Sequence, residues 1–139
     1  MIYSLKLTDD IPMGGQTFMW MIKLKEKYRN DQGLLEHEKL HVRQFWIMTG
    51  CVAAVGGLVA FWFYPALILL VVSPFAHNAT YGICRPYRQW CEVSAYKKQL
   101  EYPPAVGDLT GHYKNAYAGF LSDRYGLGIS PQEALELIQ

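Results

Sequence analysis

From Gln44 through Cys84 the chain has no Asp, Glu, Lys or Arg. A run this long without charge is not expected to form an ordinary wetted surface. Its first half, QFWIMTGCVAAVGGLVAFWF, is as apolar as a membrane helix. A surplus of either charge is also lacking: 13 basic residues stand against 12 acidic ones in 139, so no basic field points to nucleic acid as a partner. Cysteine is scarce. Cys51, Cys84 and Cys91 are too few and odd in number for a disulfide framework, and are expected as free thiols in a reducing compartment. The separation of Cys84 and Cys91 is not a zinc-ligand spacing. The opening MIYSLKLTDD lacks a basic start followed by an apolar stretch, so no secretory signal is read there and a site on the cytosolic side is expected. Internal repeats, low-complexity tracts and phosphate-binding glycine loops are absent as well. At this length a single domain over 1–139 is expected.

What is present is concentrated in LLEHEKLHVRQF, Leu34 to Phe45. On a helix, residues four apart share a face, so His37 and His41 can offer two imidazole nitrogens to one metal ion with Glu38 beside them. Leu34 and Phe45 lie on the same stripe, which aims the histidines at the edge of a core. The plainer alternative is an amphipathic helix with two core-edge histidines and a surface glutamate.

Ahead of this helix, Ile2 to Leu7 reads as a strand closed by Thr8, Asp9, Asp10 and Pro12. A second strand is expected from Phe18 to Lys27, with Ile22 and Leu24 on one face and Lys23 and Lys25 on the other. Its lysines suit an exposed edge, where an extended peptide could add backbone hydrogen bonds. Asp31 is the expected N-cap of the motif helix. Beyond Leu100, Tyr102-Pro103-Pro104 reads as a rigid connector and Gly107 to Tyr125 as a helix bearing Tyr113, Tyr117 and Phe120 on one side. Ser130-Pro131-Gln132-Glu133 reads as a capping box opening a last helix. The fold class expected is α+β, a small N-terminal strand pair followed by a mostly helical core with a long apolar hairpin over 44–84.

Tyr64-Pro65 breaks the uncharged run near its middle, and residue 64.5 is the midpoint of 37 and 92. A helical hairpin turning there returns Glu92 to the level of His37, as the third protein ligand that a catalytic zinc requires. The same arithmetic means that the run crosses a membrane twice, dips in and returns, or is buried in protein. Lys39 and Arg43 before it and Arg85 and Arg88 after it make both flanks basic, as expected when both stay on the cytosolic side. A hairpin inserted in lipid, with FWFYP as an aromatic tip, is the reading preferred over a soluble hairpin buried in a compact core.

His-Glu-x-x-His with a later glutamate on a second helix resembles the gluzincin group of zinc metallopeptidases. The longer metzincin pattern is absent, since Gln44 and Ile47 stand where glycine and histidine would be needed. The resemblance implies a zincin-like domain, with a small sheet whose edge strand precedes the active helix. His37, His41 and Glu92 would be zinc ligands, Glu38 the general base and Ala95 the small residue after the third ligand. The substrate would be a peptide or protein. The chain is most similar to very small bacterial or phage-encoded peptidases built around HE-x-x-H-x-x-Q, over roughly Asp31 to Gln44 and Arg88 to Gln99. Arg88, Tyr96, His112, Tyr113 and Tyr117 are candidates for an oxyanion or substrate contact; His77 is expected not to be a ligand. Two rival classes remain: a non-catalytic metal-binding domain, and a membrane or phage-assembly protein in which the hairpin is the working part.

Overall fold

The computed structural model describes residues 1–102 and 112–139 and has an α+β architecture, a small N-terminal sheet followed by five helices among those residues. Three strands form the sheet: β1 (Ser4–Leu7), β2 (Gly15–Phe18) and β3 (Met21–Leu24), in the order β1-β3-β2. β1 runs parallel and β2 antiparallel to β3. A strand pair is what the sequence suggests, with one strand from Phe18 to Lys27. The structure instead turns at Met19-Trp20, with Phe18 opposite Met21 and Met19 at φ 55°. That is a two-residue hairpin, whose twist requires a positive φ. The alternation holds within β3, where Ile22 and Leu24 are fully buried and Lys23 is half-buried. The edge assignment changes. The lysine-bearing β3 is the central strand, and β2 is an outer strand with no further strand beside it among the described residues.

Helix α1 (Gln32–Ala60) starts where Asp31 accepts a hydrogen bond from the Leu34 amide at 2.8 Å, satisfying one of the free N–H groups of the first turn. It runs unbroken through the His-Glu-x-x-His motif and into the uncharged segment. Val42 packs with Ile22 and Leu24, flanked by Leu34 and Leu35, and this small cluster clamps the sheet to the helix. The chain then reverses through a short 3-10 turn, Tyr64–Leu67, with Pro65 near its start. Helix α2 (Ile68–Ile83) returns alongside α1 and continues through Pro74. Helix α3 (Arg85–Leu100) follows after Cys84, with Pro86 in its first turn, where a missing N–H costs nothing.

Helices α4 (Tyr113–Arg124) and α5 (Pro131–Ile138) complete the chain. The helix expected from Gly107 begins at Tyr113; its stretch before 112, and the prolines of the 102–104 connector, lie outside the described residues. The capping box is present: Ser130 Oγ accepts from the Glu133 amide at 3.2 Å, and Glu133 accepts from the Ser130 amide at 2.7 Å. A second core joins α3, α4 and α5 through Tyr96, Ala118, Leu121, Leu127, Ala134 and Ile138.

α1 and α2 approach closely at Gly56, where an added Cβ would lie 2.6 Å from the Leu69 Cβ; Gly57 faces open space. Gly56→Ala should therefore lower stability by about 1–3 kcal/mol through overpacking, whereas Gly57→Ala should be neutral or stabilise by up to about 1 kcal/mol through helix propensity. Thermal unfolding of the two variants checks the pair, and equal melting temperatures would count against this helix contact.

Candidate metal centre

α1 supplies His37 and His41 from consecutive turns of one face, with Glu38 beside His37, and α3 supplies Glu92. All four are buried, Glu92 with only 2% of its surface exposed. His41 Nε2 lies 3.3 Å from His37 Nε2 and 3.4 Å from Glu92 Oε1, and His37 Nε2 lies 3.9 Å from Glu92 Oε2. The three residues form a group whose candidate ligand atoms all lie within 4.8 Å of one another. Ligands held about 2.0–2.1 Å from a tetrahedral ion stand about 3.3 Å apart; the His37–His41 and His41–Oε1 separations have that spacing, while His37 is near the other carboxylate oxygen, Oε2, so one Glu92 oxygen serving both imidazoles requires the carboxylate to turn.

The surrounding hydrogen bonds orient the ligands. Gln44 donates through Nε2 to the Cys91 carbonyl at 3.3 Å, which turns its amide oxygen toward His41 Nδ1 at 3.0 Å. His41 then carries its proton on Nδ1 and leaves the Nε2 lone pair facing His37 and Glu92. Tyr81 donates to Glu92 Oε1 at 2.5 Å, but Glu92 Oε2 is buried without any hydrogen-bond partner. An ionised carboxylate so placed loses several kcal/mol of solvation that only a nearby cation restores. Two facing imidazole lone pairs also repel unless something positive lies between them. The donor set therefore fits a divalent ion of the zinc type. Burial, then the neighbouring His41, holds the His37 imidazole well below its usual pKa, in the neutral form a metal ligand needs. Gln99 pulls the other way, but neither its Oε1 nor His37 Nδ1 has a partner of hydrogen-bonding geometry.

Glu38 lines the smaller cavity together with the triad and also reaches β2. Its Oε2 accepts a 2.6 Å hydrogen bond from Thr17 Oγ1, and its Oε1 occupies the space a side chain at Gly15 would take, since a Cβ there would lie 2.5 Å away. Burial pushes the Glu38 carboxyl up to about 6, against the downward pull of His41 and of the Thr17 hydroxyl. Two cavities, of about 300 and about 240 Å³, share Met13, Gly15, His37, Glu38 and Tyr125 as walls, so the carboxylate stands between them.

The other residues singled out by sequence divide. Tyr96 lines the larger cavity and sets its ring edge-on to His37, with centroids 4.7 Å apart. Tyr117 lines the same cavity and accepts a hydrogen bond from Gln99 at 3.1 Å. Arg88 is not brought to the site. Its guanidinium is taken up by the carbonyls of Tyr81, Gly82 and Tyr125 at 2.8–2.9 Å, tying the end of α2 to the segment after α4. His112 is exposed and Tyr113 packs against Tyr117; neither is a wall of the two cavities. His77 falls outside the three-residue group but lines the smaller cavity, with Nδ1 2.9 Å from the Tyr87 hydroxyl. Thr17, Tyr81 and Tyr125 escape the sequence reading. Each reaches the site from a different element, and none has a motif spacing to His37 or Glu92.

Removing the Tyr81 hydroxyl leaves Glu92 with no hydrogen-bond donor at either oxygen. Tyr81→Phe should weaken zinc binding by about 10–100-fold, the usual effect of losing an outer partner of a ligand, as read by competition with a chromophoric chelator; an unchanged affinity would rule out this supporting role. Among known proteins no family model, curated protein or solved structure matches the chain.

Proposed function

We propose that the chain is a zinc-dependent peptidase of gluzincin type, with His37, His41 and Glu92 as ligands and Glu38 as general base. The observation carrying this reading is the buried His37–His41–Glu92 group with an unpartnered carboxylate oxygen, flanked by a second carboxylate that faces a cleft. Three protein ligands suit a catalytic site because the fourth position stays open, and zinc bound there would bring a water near neutral pKa and polarise a carbonyl.

The chain's own groups account for the rest. Glu38 takes the proton of the attacking water and returns it to the leaving amine, at an oxygen that the Thr17 hydroxyl does not occupy. Gly15 keeps the space around that oxygen clear. β2 supports substrate binding as well, since it lies beside Glu38 as an outer strand and can accept an extended peptide by backbone pairing. The two cavities on either side of Glu38 are then suited to side chains on either side of the scissile bond.

Loaded with zinc, the protein should hydrolyse a generic unfolded protein substrate, and Glu38→Gln should lose about 10²–10⁴-fold of that activity while keeping its zinc. Metal analysis and hydrolysis rates of the same preparations check both halves. A zinc-bound wild type without hydrolysis would assign the site to structure. Glu92→Ala should lose zinc with most of the helix content retained by circular dichroism, and full zinc occupancy in that variant would remove the third-ligand assignment.

A further inference from the structure

The outer half of the hairpin is a pair of helices that the rest of the described residues leave largely uncovered. Two helices, Gln32–Ala60 and the stretch Tyr64–Ile83, are long and apolar enough to cross a membrane, and only 22% and 17% of their most apolar windows are buried. The core helix of a water-soluble domain would be mostly covered. Here Leu58, Phe61, Trp62 and Val71 are 73%, 82%, 86% and 69% exposed. These side chains come from both helices and the tip between them. A surface apolar around so much of its circumference matches a surrounding solvent of lipid better than a single flat partner, which would cover one side.

The base of the hairpin has the chemistry of a bilayer interface. Trp20 stacks on Trp46 with centroids 6.3 Å apart, and the Trp46 indole donates to the Ile2 carbonyl at 2.9 Å. Trp90 is exposed beside Tyr87. Amphipathic rings of this kind collect at headgroup level. Between Lys39 and Leu100 the only carboxylate is Glu92, which is buried in the metal centre, while Arg43 and Arg85 are exposed at the hairpin's base. The collar is therefore cationic and complements anionic headgroups. From Trp46 to Ala60, helix α1 extends about 22 Å, shorter than the roughly 30 Å hydrocarbon core, so the hairpin inserts and returns with both ends on one side.

α1 carries the site directly into this segment. His41 precedes Phe45 by about one helical turn, and the smaller cavity has His77 and Asn78 of α2 in its wall. We propose that residues 46–83 insert as a hairpin into an anionic bilayer and hold the His37–His41–Glu92 cleft at headgroup depth, so that the peptides it cuts are juxtamembrane segments of membrane-held proteins. The insertion stands on the hairpin alone; the substrate class rests on the peptidase reading above.

Full-length protein in detergent, mixed with phosphatidylcholine–phosphatidylglycerol vesicles before the detergent is removed, should float with the vesicles in a density gradient. It should float less with phosphatidylcholine alone. The variant Phe61→Asp/Val71→Asp, altered only at exposed positions, should stay unfloated with unchanged zinc content. Wild type that fails to float, or a variant that floats as well, overturns insertion, and a stable dimer in plain buffer that ignores vesicles assigns the face to a second copy of the chain. On the same vesicles, a peptide tethered by a lipid should be cut on the order of 100-fold faster than the free peptide through its raised effective concentration. Equal rates overturn the juxtamembrane assignment. Flotation with cleavage of neither peptide overturns the peptidase reading and with it the substrate class, and leaves insertion standing.

Discussion

One buried carboxylate constrains this molecule more than any other group. Glu92 is enclosed between two imidazoles and one tyrosine hydroxyl, and one of its oxygens has no hydrogen-bond partner. A bare carboxylate in such surroundings is unfavourable by several kcal/mol unless a cation accompanies it. The fold has to bring that group to within 4 Å of His37 and His41 across 50 residues or more of chain. It does so by keeping α1 unbroken, reversing at Tyr64–Leu67 and returning α2 beside it, with α3 starting directly after Cys84.

The two cores explain why so small a chain can hold the centre. The sheet cluster around Ile22, Leu24 and Val42 fixes the N-terminal half of α1, and the cluster around Tyr96, Leu121 and Leu127 fixes α3. The His37–His41–Glu92 group lies between them, and neither cluster includes the hairpin's outer half. That outer half is held by close helix–helix approach at Gly56 and leaves large apolar side chains exposed. Stability of the site and exposure of the hairpin are thus separate properties, carried by different residues.

The supporting shell is where sequence reasoning falls short. Gln44 is three residues after His41, and its role follows from helix spacing once the amide is seen to donate to Cys91 O. Tyr81 and Thr17 give no such sign, because a hydroxyl can reach a carboxylate from any element. Arg88 is one of the five residues the sequence offers for an oxyanion or substrate contact. Three backbone carbonyls use it instead. The edge strand was misplaced for a related reason: alternation reports which faces are wet, and says nothing about which neighbours a strand has.

The sequence by itself determined the α+β class, the Asp31 and Ser130 caps, the reversal near Tyr64-Pro65 and the closeness in space of His37, His41 and Glu92. All of these follow from local geometry: a fixed rise per residue, a fixed helical face, and turn chemistry readable in a few letters. Only the tertiary structure decided the third strand and its order, the hydroxyls that hold Glu38 and Glu92, and the large exposed fraction of the hairpin. Those depend on which surfaces meet, and contact between distant segments has no period to leave in a sequence.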